Sequence, residues 1–75
     1  MDTFTKVRLT KLLSDYKRLH GRDISANELE SSGFEQATIK EGIHQGLIVK
    51  YQVTVNTGST ENRYKLLVDW KSINK

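Results

Sequence analysis

The chain has 75 residues, no cysteine and no proline, and 12 Lys and Arg against 9 Asp and Glu, for a net charge of +3. That length holds one domain with one small core, burying about 60% of the surface its unfolded chain exposes. Without cysteine there is neither a disulfide framework nor a thiolate metal site, and no run approaches the roughly 20 apolar residues of a membrane span. The start, with acidic Asp2 and no long apolar core, does not read as a secretory signal, so a cytoplasmic protein is expected.

In chain order, residues 5–20 predict a first helix, because Leu9, Leu12, Leu13, Tyr16 and Leu19 share one stripe at 3.6-residue spacing. Lys6, Lys11, Lys17 and Arg18 lie off that stripe, and Gly21 is placed to end the helix. Ser25-Ala26-Asn27-Glu28 matches a capping box, and Ile24 and Leu29 take the two positions of a hydrophobic staple. A short second helix over 26–32 follows, ending at Gly33. Phe34, Ile39 and Ile43 predict a third helix over 35–45, stopped at Gly46. Gly42 inside it is expected to allow close approach of a neighbouring helix.

From Leu47 the period becomes two. Leu47, Val49, Tyr51, Val53 and Val55 form one face of a strand, and Ile48, Lys50, Gln52 and Thr54 the other. Asn56 to Asn62 reads as a loop by composition. The return strand sets Tyr64, Leu66, Val68 and Trp70 toward the core and Arg63, Lys65, Leu67 and Asp69 away. Pairing Val55 with Asn62 would put both apolar sets on one face of a hairpin over 47–70.

The order of helix, short extended piece, helix, helix and hairpin, with Ile24 to Leu29, Gly33-Phe34, Thr38-Ile39 and Gly46-Leu47-Ile48 as landmarks, resembles the winged helix-turn-helix superfamily over nearly the whole chain. The resemblance implies an α+β fold with a β-hairpin wing, a possible short strand near Ile24, and a double-stranded DNA partner. It implies action by site occupancy, as in a small plasmid or phage regulator, or an accessory factor at a replication or conjugative transfer origin. Here the third helix is short and carries Glu35 and Glu41, so the wing is expected to contribute more than that helix.

The charge distribution agrees. Residues 1–23 sum to +3, residues 24–49 to −3 and residues 50–75 to +3. The expected DNA contacts are Lys50, Gln52, Thr54, Arg63 and Lys65 on the wing, Asn56, Thr57 and Asn62 at its tip, and Gln36, Thr38 and Lys40 on the third helix. Phe4 and Val7, off the helical stripe, and Ile48 and Leu67, at the wing base, are expected to be exposed and to form a homodimer or partner contact. His20 and His44 sit in no nucleophile, metal or general-base spacing, and the glycines form no phosphate loop. No enzyme activity, cofactor, metal, membrane or small-molecule substrate is therefore expected. The rival expectation is a protein-interaction module on the same scaffold without DNA binding.

Overall fold

A computed structural model describes residues 1–69 and 71. Three helices precede a β-hairpin: α1 (Thr3–His20), β1 (Ile24–Ser25), α2 (Ala26–Ser31), α3 (Gln36–His44), β2 (Ile48–Thr54) and β3 (Thr60–Leu66). The strands form one antiparallel sheet in the order β1-β3-β2. This α+β topology, with the short strand pairing at Ile24, is consistent with a winged helix.

The helix ends are set by side chains. Asp2 accepts the Thr5 amide at 2.7 Å at the start of α1, and the Gly21 amide donates to the Lys17 carbonyl at its end. The Ser25–Glu28 capping box forms in full, and both residues of the Ile24–Leu29 staple are buried. Glu35 stands at the N-cap of α3 with no side-chain cap bond.

Leu9, Leu13, Ile24, Leu29, Phe34, Ile39, Leu47, Ile48 and Tyr64 make the core, with Leu12, Tyr16, Leu66 and Val68 packed around it. Burying one such side chain stabilises the fold by roughly 1.5–3 kcal/mol. Thr10 is also fully buried, and its Oγ1 donates to the Lys6 carbonyl at 2.8 Å, so its hydroxyl is not stranded. Leu19 departs from the expected stripe and is exposed, because the last turn of α1 runs past the core. A Cβ on Gly42 would sit 2.9 Å from Leu9 Cδ2 and 3.4 Å from Ile48 Cδ1. The glycine thus lets α3 close on both α1 and β2.

The hairpin register differs from the sequence expectation. Ile48 pairs with Leu66, Lys50 with Tyr64, Gln52 with Asn62 and Thr54 with Thr60. The loop is Asn56-Thr57-Gly58 alone. The Gly58 amide donates to the Val55 carbonyl, the Val55 amide to the Ser59 carbonyl, and Gly58 takes φ 81. This is a tight turn closed by a left-handed residue, which glycine adopts without a Cβ clash. Thr60, Glu61 and Asn62 therefore belong to β3 rather than to a loop.

Pairing Val55 with Asn62 would shift the register by an odd number of residues, so the true pairing turns one face of β2 over relative to β3. Ile48 goes into the core beside Tyr64 and is 1% exposed. It is therefore not part of an exposed apolar pair. Val49, expected inside, is on the outer side at 38% exposure. Strand β3 ends at Leu66, and the expected core position of Trp70 lies outside the described residues.

Candidate nucleic-acid interface

The register decides which wing residues stand together, since directly opposed residues on antiparallel strands share a face. Beyond the buried Ile48 and Tyr64 and the partly buried Leu66, one face carries Lys50, Gln52 and Thr54 from β2, with Thr60 and Asn62 from β3. The other carries Val49, Tyr51 and Val53 with Glu61, Arg63 and Lys65. The single wet face expected from the sequence is therefore divided. Lys50, Gln52 and Thr54 are on one side, Arg63 and Lys65 on the other.

The first face holds no acid. Lys50, Gln52, Thr54 and Thr60 are exposed, while Asn62 is partly buried and its Oδ1 lies covered with no partner among the described residues. Asn56 and Thr57 are exposed at the tip, where Thr57 Oγ1 lies 3.1 Å from Ser59 Oγ. On the second face Arg63 Nε donates to Glu61 Oε2 at 2.8 Å, and the Tyr51 hydroxyl donates to Asp23 Oδ2 at 2.5 Å. That carboxylate acceptor, with partial burial, raises the Tyr51 pKa. Lys17 approaches Asp23 at 3.4 Å.

Helix α3 exposes Gln36, Lys40 and His44, four residues apart along one side. Thr38 departs from its expected outer place, since it falls on the opposite side and is half-buried. Gln36 Nε2 donates to Glu30 Oε1 at 2.6 Å. Glu41 is held by the Met1 amine and by Gln45.

A polar network joins the end of α1 to the start of α2. Glu28 receives Arg22 at 3.0 Å, the Ser25 hydroxyl at 2.7 Å and the Tyr16 hydroxyl. The guanidinium of Arg22, aided by those hydroxyls, lowers the Glu28 pKa to about 2 against some desolvation. Partial burial, then the bond to Glu28, raises the Tyr16 pKa. These groups brace the fold and take the charge of Glu28 out of the acidic middle.

The charges are thereby sorted. Among the described residues, every one of the 9 acids but Glu35 receives a side-chain hydrogen bond or ion pair. Lys6, Lys40, Lys50 and Lys65 make no ion pair among the described residues. Arg8 lies between two rings, its Cζ 5.7 Å from the Phe4 centroid and 5.4 Å from that of Phe34. Phe4, though 71% exposed, therefore has a cation against it. Val7 is half-buried and Leu67 is 53% exposed.

Thr60 is the addition that sequence reading missed, because composition assigned it to a loop. The Asn-Thr-Gly turn signal places it in the strand. Among the described residues no three His, Asp or Glu gather as a metal site requires, and no helix is long and apolar enough to cross a membrane. Comparisons with family models, curated proteins and solved structures find no match.

Proposed function

We propose that this chain is a winged-helix protein that binds double-stranded DNA, with Lys50, Gln52, Thr54 and Thr60 of the wing and Gln36 and Lys40 of α3 toward the duplex. It acts by occupying its site, as a small plasmid or phage regulator or an accessory factor at a replication or transfer origin would. The observation that carries this reading is the sorting of charge. Eight acids are engaged within the chain, whereas exposed Lys40, Lys50 and Lys65 and half-buried Lys6 make no ion pair among the described residues. Unpaired surface lysines release condensed counterions from phosphates, and glutamine can bridge an adenine edge. Arg63 is demoted to a secondary contact, because Glu61 already holds it.

Fluorescence anisotropy with a mixed-sequence duplex tests the reading. Two phosphate contacts per chain, from Lys40 and Lys50, give a log–log salt slope of about −2. Absence of binding at micromolar protein and low salt rejects the reading. The exposure of Phe4 and Leu67 favours a second one, a docking module for another protein, and a flat DNA titration would move the weight there.

A further inference from the structure

Strand β2 is the edge of the sheet. The Leu67 amide bonds the Leu47 carbonyl, and the Val55 amide bonds the Ser59 carbonyl. Odd-numbered residues of β2 therefore point their backbone groups at β3, and the alternation of an antiparallel ladder turns those of Ile48, Lys50, Gln52 and Thr54 outward. No hydrogen bond engages these outward groups among the described residues. The outer face of the same strand is apolar at Val49, Tyr51 and Val53.

We infer that this edge pairs with β2 of a second copy of the chain, antiparallel about a two-fold axis at Tyr51. The strand is self-complementary in that register. Lys50 stands opposite Gln52 of the other copy and Ile48 opposite Thr54, and these are the residues whose backbone groups point outward. Val49 meets Val53 in a close, non-hydrogen-bonded pair. The strand carries one charge, Lys50, and a two-fold centred there would set two lysines face to face. Centring on Tyr51 avoids that repulsion and uses all of β2. Helices cover the inner face at the base of each hairpin, so the joined sheet keeps both copies of Lys50 and Gln52 on one side and both apolar stripes on the other. The inference stands independently of DNA binding.

Because the chain has no cysteine, single cysteines report the register directly. Facing Cα atoms in a non-hydrogen-bonded pair are about 4.5 Å apart, within the range of about 4.4–6.8 Å that a disulfide spans. Position 49 lies about 13 Å from its own copy along the strands in this register. Under mild oxidation without DNA, Tyr51→Cys is expected to cross-link to the dimer. Val49→Cys and Val53→Cys should cross-link with each other when mixed but not alone. Sedimentation of the unmodified chain should give a dimer, the Val49→Lys/Val53→Lys variant a monomer, and the Val49→Glu/Val53→Lys variant a dimer again, with circular dichroism confirming that each is folded. A monomeric unmodified chain at submillimolar concentration, a folded dilysine variant that stays dimeric, or equal cross-linking at all three positions overturns the inference. None of these readouts depends on DNA binding.

Discussion

Arg63 and Glu61 lie two residues apart on one strand, and their side chains meet at 2.8 Å on the outer face of the hairpin. Lys50, on the inner face opposite Tyr64, has no such acid among the described residues. Lys50→Ala should therefore flatten the salt slope of duplex binding by about 0.9, while Arg63→Ala should change it by less than half of that. Glu61→Ala frees the guanidinium and should raise affinity. Anisotropy titrations of the three variants between about 50 and 200 mM salt check the order.

The register has a separate energetic signature. Ile48 is in the core, and Ile48→Ala should cost about 2–5 kcal/mol. Leu67→Ala, on the outer side, should cost about 0.5 kcal/mol or less, and Val49→Ala, partly exposed there, should cost far less than Ile48→Ala. Urea unfolding distinguishes this from the alternative pairing, in which Val49 is the buried residue.

That contrast also shows where the sequence was legible. Ser25, Glu28, Ile24 and Leu29 act within a few residues of one another, so the start of α2 could be read locally, and Gly42 could be read as a close approach. The hairpin could not. Both alternating sets of β2 contain apolar residues, and Thr60-Glu61-Asn62 is polar whether it is loop or strand. The outcome depended on whether Gly58 closed the turn early, and an odd shift there exchanged the faces. The wing residues were identified as candidates, but their division between two faces was not, because facing follows register. Leu19 was misplaced for a different reason. Periodicity says which side of a helix a residue lies on, not whether the core reaches that far.

Acid should weaken the fold through Glu28. Its folded pKa is depressed from the ordinary 4.5 to about 2, so the stabilisation is present above pH 4.5 and is lost as pH falls toward 2. The group is partly exposed, and solvent screening reduces the effect to about 1–2 kcal/mol. Urea midpoints between pH 6 and pH 2 should fall over that window, and Glu28→Gln should remove much of the fall.

Gly42→Ala should destabilise despite the better helix propensity of alanine. The gain is about 1 kcal/mol, but the new methyl group meets Leu9 Cδ2 at 2.9 Å, and overpacking costs about 1–3 kcal/mol. A net loss of about 1 kcal/mol is expected by thermal or urea unfolding, relieved in part by Leu9→Val.

The most direct measurement follows side-chain methyl signals by nuclear magnetic resonance as a mixed-sequence duplex is added at low salt. Thr54 and Thr60 share the wing face with Lys50, and Val49 and Val53 share the opposite one. The account predicts that the methyl signals of Thr54 and Thr60 shift and broaden, that Ala37 beside Gln36 on α3 responds, and that those of Val49 and Val53 move least. A spectrum that does not change with DNA, or changes confined to Val49, Val53 and Leu67, would contradict it.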